Sequence, residues 1–182
     1  MEVAGRTVAI PPQDAGDLLQ GGARSLSDNG PMRVSAKADY AVRATVELAA
    51  GGGGPLKRDA LATAQDIPSG FLENILLDLR QAEVIRSQRG PEGGYWLARP
   101  AAEISVADVV RAVEGPLASV RGERPGALAF RGTARPLEGL WVAVRASLRS
   151  VLESVTLADL AEGKLPEDVE ALTRDPDAWT RH

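Results

Sequence analysis

Apolar residues along this chain fall on two spacings, and their order predicts a mostly helical protein with a small β-wing. Ala38, Ala41, Val42, Thr45, Val46, Leu48 and Ala49 share one side of a helix that begins near Ser35, a candidate N-cap, and stops at Gly51 to Pro55. A short helix is expected from about Lys57 to Gln65, then a tight turn at Asp66-Ile67-Pro68, then a second amphipathic helix. In that helix Phe71, Leu72, Ile75, Leu76 and Leu79 fall on the buried face, while Ser69, Glu73, Asn74 and Asp78 point away from it. Val84-Ile85 and Tyr95-Trp96-Leu97 have strand character, and the Arg-Gly-Pro-Glu-Gly-Gly run between them supplies a tight, basic turn. Helix, turn, helix and arginine-tipped hairpin together predict a winged helix-turn-helix unit over 32–100. Its second helix suits the major groove of DNA, and its hairpin suits the backbone or minor groove.

The chain beyond the wing is expected to form a second section over 101–162. Ser105 followed three residues later by Asp108 is a capping signal for a short helix to about Val113, stopped by Glu114-Gly115-Pro116. The segment 120–135 reads as a loop. From there Leu137, Leu140, Trp141, Val144, Leu148, Val151, Leu152 and Val155 recur at helical intervals through about five turns. A helix that long after a compact domain carries more apolar surface than its own domain needs, and these eight positions are read as a dimerisation face. Residues 163–182 are expected to be loose. Residues 1–31, rich in Gly, Pro, Asp and Ser, are expected to be a disordered extension, with Met32 a candidate start.

Composition narrows the chemistry. The chain has 182 residues and no cysteine, which removes disulfides, thiolate nucleophiles and thiolate-held metals or clusters together. The single histidine is the last residue, His182. No phosphate-binding glycine loop and no convergent acid–base set is present, so an enzyme is not expected. No apolar run reaches membrane-spanning length and no secretory leader is recognisable, which reads as cytosolic. The net charge of −4 argues against a strongly basic nucleic-acid binder, but residues 32–99 hold nine basic and eight acidic side chains. That balance is compatible with a modest, directional DNA affinity.

Several motifs in order carry a family resemblance: MRVSAKADYAVRA, FLENILLDLRQAEVIRSQRGPEGGYWLARP, EISVADVVRAVEGPL and, at the end of the long helix, SVTLADL. The chain resembles the Rrf-two family of bacterial winged helix-turn-helix transcriptional regulators, the group of IscR, NsrR and CymR, as a cysteine-less member. The resemblance spans Met32 to about Glu162. It implies a homodimeric regulator, more often a repressor, whose long helices cross. It implies DNA contacts at Ser69, Gly70, Phe71, Glu73 and Asn74 and at the wing residue Arg89. The chemistry of these side chains agrees, since Asn pairs with adenine, Glu accepts from cytosine, and Arg enters narrow minor grooves. Ser35, Lys37, Tyr40 and Arg43 are candidates for holding phosphates.

The departures matter as much. The three cysteine positions of cluster-binding members fall near Gly122, Ala129 and Arg135, none a thiolate, so no cofactor and no metal is expected. Asp39 stands where some nitric-oxide sensors place a carboxylate ligand, and reads more simply as a first-turn acid favourable to the helix dipole. Lys57 replaces the usual Ser cap and Asp66 the usual turn Gly. The arginine-bearing loop 120–135 is a candidate seat for a small anionic effector, with a solvated linker as the plainer reading. A rival to the DNA reader is a winged-helix module for protein–protein contact, anchored by Phe71 and Trp96.

Overall fold

The computed structural model describes residues 34–120 and 122–180, and the expectations for residues 1–31 lie outside them. The Ser35 hydroxyl accepts from the Ala38 N–H at 3.0 Å and so caps α1 (Ala36–Ala50) as its sequence predicts. The same hydroxyl donates to the Glu114 carboxylate. Ala38, Ala41, Ala44, Thr45 and Leu48 are buried along α1, so small side chains let the neighbouring helices approach closely. The buried Thr45 hydroxyl is satisfied within the helix by the Ala41 and Val42 carbonyls, each at 2.9 Å.

Two helices follow in helix-turn-helix order. α2 (Arg58–Gln65) starts at Lys57 with no side-chain cap and ends at Asp66, which takes the left-handed conformation at φ +50°. An aspartate tolerates that region better than most residues, which is how the chain turns here without glycine. α3 (Ser69–Gln81) then buries Leu72, Ile75, Leu76 and Leu79 against α1 and α4. Phe71 departs from the expected pattern: it is 60 % exposed, and its ring meets Tyr40 edge-on at 6.3 Å. It sits at the margin of the apolar stripe, immediately before the buried Leu72.

The wing is a hairpin of β1 (Ile85–Gln88) and β2 (Gly94–Leu97), antiparallel, with Ile85 opposite Leu97 and Gln88 opposite Gly94. Leu56, just before α2, extends it by one bridge, exchanging two 2.9 Å backbone bonds with Tyr95. Only glycine fits at position 94, because a Cβ there would lie 2.6 Å from the Leu56 carbonyl oxygen.

After the wing comes α4 (Val106–Glu114), opened by the expected capping box between Ser105 and Asp108 and closed at Gly115. The loop before the long helix is not featureless. It holds two single helical turns, at Pro125–Ala127 and Gly132–Ala134, with Pro125 buried. The long helix is α5 (Leu137–Ser154), in which no residue is fully buried. Leu140 and Val142 are 51 % and 46 % exposed, and Leu137, Trp141, Val144 and Leu148 are half-buried.

Two expectations for this region change. Val151, Leu152 and Val155 do not extend the outward face, because they pack within the subunit against Val106, Val110 and Val169. The SVTLADL motif does not continue the long helix either. The chain breaks at Val155, where backbone bonds of 2.9 Å join Val106 to Val155 and Leu157 to Ile104. It restarts as α6 (Leu157–Ala161) behind a second capping box, Thr156 with Asp159. The Thr156 hydroxyl and amide hold the Asp159 carboxyl below its usual range.

The expected loose tail carries α7 (Glu167–Thr173), whose buried Val169 completes the small cluster with Val106 and Val155, and a further turn at Pro176–Trp179. A charged clasp fixes the far end of α5. Glu153 pairs with Arg149 one turn earlier at 2.9 Å and with Arg111 on α4. Hydrogen bonds from those guanidinium groups hold its carboxyl down at about 2.

Candidate nucleic-acid interface

α3 presents Ser69, Gly70, Phe71, Glu73 and Asn74 as exposed residues, because the buried row Leu72, Ile75, Leu76 and Leu79 turns the opposite side of the helix inward. Glu73 and Asn74 line a groove of about 650 Å³ between α3 and the wing, and Arg89 lines the same groove from the hairpin. Leu76, Leu77, Arg80, Ser87, Gln88 and Tyr95 complete its walls. Three side chains picked from two separate stretches of sequence therefore share one concave surface. The nearest charge to Glu73 is Arg58, at 3.7 Å, and Arg89 forms no ion pair among the described residues.

The four candidates for holding phosphates, on and just before α1, are differently placed. Ser35 is spent on its cap and on Glu114. Lys37 pairs with Asp78 at 2.7 Å. Arg43 bonds to Asp39 at 3.2 Å and to the Gln65 carbonyl, and its guanidinium lies 5.6 Å over the Tyr40 ring. Tyr40 in turn meets Phe71. A phosphate at these positions competes with partners already in place. Through these contacts Tyr40 links Arg43 to Phe71 in the first turn of α3.

Sequence reading missed two basic residues. Arg80, in the last turn of α3, lines the groove of Glu73 and Asn74 and has no carboxylate partner among the described residues. A last-turn arginine reads from sequence as a simple partner for the helix dipole, and only the wing's position shows that it borders the groove. The second is Lys57, which reaches from α2 to the wing turn. Trp96, offered as a protein-binding anchor together with Phe71, lines a second groove with Arg86 and Arg99, which shares Arg80 and Ser87 with the first. Phe71 is not among the walls of that second groove, so the two aromatics do not form one apolar anchor. In the loop 120–135 Arg124, Arg131 and Arg135 are exposed and make no ion pair among the described residues.

Comparison with known proteins agrees with this architecture. The Rrf2 family, described as an iron-dependent transcriptional regulator, matches residues 34–163. A Mycobacterium tuberculosis protein whose name places it among HTH-type transcriptional regulators is 56% identical over 154 residues, covering 83% of this chain and 96% of that protein. The structure of CymR, the global cysteine regulator of Bacillus subtilis, superposes with a TM-score of 0.62 at 30% identity, covering 74% of this chain and 99% of that one. IscR of T. potens gives 0.57 at 31% identity, covering 83% of this chain and 93% of the other. The iron in the family description finds no seat in these residues. The chain has no cysteine to hold an iron–sulfur cluster, and no three His, Asp or Glu side chains gather at a metal-binding distance among the described residues. Family match, relatives and solved neighbours converge on one assignment: the chain belongs to the Rrf2 family of DNA-binding helix-turn-helix transcriptional regulators, with none of the thiolates a cluster requires.

Proposed function

We propose that two copies of this chain, paired along α5, read a two-fold symmetric site in duplex DNA and repress transcription there without an iron–sulfur cluster. Glu73 and Asn74 contact base edges in the major groove, with Ser69, Gly70 and Phe71 at the helix start, and Arg89 enters the flanking minor groove. The observation that carries this reading is the shared groove of Glu73, Asn74 and Arg89. Pairing is supported by α5 itself, since along this 18-residue helix Leu137, Trp141, Val144 and Leu148 are only half-buried and Leu140 beside them is exposed, which leaves an apolar face to cover. Such a regulator works in the bacterial cytoplasm, beside the chromosome. The exposed Arg124, Arg131 and Arg135 are the place where a small anionic effector would act.

Footprinting on the chain's own upstream region, followed by anisotropy titration at several salt concentrations, tests the proposal. The expected result is a symmetric protected site and an affinity that falls steeply with salt. Arg89→Ala should weaken binding and lower the salt slope by about 0.9 per copy. No duplex binding at low salt would favour a protein-contact module instead.

A further inference from the structure

Lys57 stands at the N-cap of α2 but does not cap it, since its side chain has no oxygen to accept from the first turn. Its ammonium goes elsewhere. It donates to the Gly90 carbonyl at 3.0 Å and to the Pro91 carbonyl, more than thirty residues along the chain. Those two carbonyls directly follow Arg89 in the wing turn. The preceding residue, Leu56, is bonded in both directions to Tyr95, at the turn end of β2. The dipeptide Leu56-Lys57 therefore grips the wing at two neighbouring points, on β2 just past the turn and on the turn itself.

The turn has little else to hold it. Strand pairing ends at Gln88 and Gly94, and the only backbone bond across the turn among the described residues runs from the Gly93 N–H to the Gly90 carbonyl, at 3.1 Å. Gly90 sits at φ +108°, and glycine leaves that conformation for others at little cost. Left to itself, such a turn would swing Arg89 through many directions and charge the ordering cost to DNA binding.

We propose that Lys57 is a positioning residue for DNA recognition: its ammonium locks the wing turn so that Arg89 is presented to the groove already ordered. This rests on the DNA-reading role of Arg89 proposed above. Lys57 itself does not touch DNA. A serine, threonine or aspartate at 57 would cap α2, so the chain gives up helix stability here in exchange for an ordered wing.

The full chain and its footprinted operator test this with Lys57→Met, Lys57→Arg, Lys57→Ser, Arg89→Ala and the Lys57→Met/Arg89→Ala double variant. Lys57→Met should weaken operator binding about 2- to 10-fold, the scale of one net intramolecular hydrogen bond, with the salt slope unchanged. Lys57→Arg, which keeps a cationic donor, should bind nearly as wild type does. The double variant should bind no worse than Arg89→Ala alone. Lys57→Ser should raise the melting temperature while it weakens binding, opposite directions that a merely destabilising change does not produce. In the free protein the Gly93 amide should exchange faster in Lys57→Met. A slope lowered by about 0.9 per copy would make Lys57 a phosphate contact and overturn the proposal. Additive losses in the double variant, or unchanged Gly93 exchange, would also overturn it. Failure of the wild type to bind any duplex sinks the DNA reading instead, and the exchange measurement still decides whether Lys57 braces the wing.

Discussion

Replacing Gly94 by alanine loads the seam that joins the wing to the rest of the domain. The added Cβ would lie 2.6 Å from the Leu56 carbonyl oxygen, 2.9 Å from its carbon and 3.1 Å from the Leu56 nitrogen. All three are backbone atoms, so no side chain can swing aside, and the strand itself must back away. The two 2.9 Å bonds between Leu56 and Tyr95 then lengthen. Forced overpacking costs about 1–3 kcal/mol, and two weakened backbone bonds cost about 0.5–1.5 kcal/mol each. The stiffer unfolded chain of the alanine variant returns about 0.4–1 kcal/mol. The balance centres near 3 kcal/mol of destabilisation, or roughly 6–12 °C in melting temperature for a chain of this size. Thermal unfolding followed by circular dichroism, with denaturant titration beside it, measures this directly. A variant within about 0.5 kcal/mol of wild type, the scatter of ordinary surface changes, would mean that Leu56 and Tyr95 are not paired and that the wing is not stitched to the α2 entry.

Other perturbations probe the remaining parts of the argument. Gly70→Ala, in the first turn of α3 with open space around its Cβ, should stabilise the fold by up to about 0.5–1 kcal/mol in thermal unfolding. Glu153 is depressed from 4.5 to about 2 by Arg149 and Arg111, so its contribution is present above its unfolded value near 4.5 and is lost as pH falls toward 2. Melting temperature against pH should therefore be flatter over that window for Glu153→Gln than for wild type, and parallel curves would remove the clasp. Leu140→Glu places a charge on the exposed face of α5, and sedimentation should then report a monomer whose far-ultraviolet spectrum is unchanged. A persisting dimer would move the interface off α5. Leu72→Ala, at a fully buried position, should cost about 2–5 kcal/mol in denaturant unfolding, and a smaller loss would mean that α3 does not pack on α1 as described.

Much of the helix-turn-helix was legible in the sequence because its signals are local. Ser35 and Ser105 announce helix starts through side chains that bond three residues ahead, and the row from Leu72 to Leu79 repeats with the helix period. Glu73 and Asn74 were placed outward by the same periodicity. Phe71 was misplaced because an apolar stripe has margins, and a residue at its edge goes inward or outward according to what stands opposite, here Tyr40. Val155 was assigned to the dimer face because helical spacing does not reveal that the helix stops one residue earlier. The helix α7 escaped notice because seven residues with one buried valine carry almost no periodic signal.

Sequence alone determined the order of elements, the exposed polar face of α3, the basic wing and the exclusion of thiolate chemistry, since each depends on neighbours a few residues apart or on composition. Only the tertiary structure decided which cations remain free. Lys37 and Arg43 meet Asp78 and the Gln65 carbonyl, Lys57 meets the wing turn, and Arg80 and Arg89 border the groove between α3 and the wing without a carboxylate partner among the described residues. An ion pair or a hydrogen bond forms between groups that folding brings within a few ångströms, and separation along the chain says nothing of that distance.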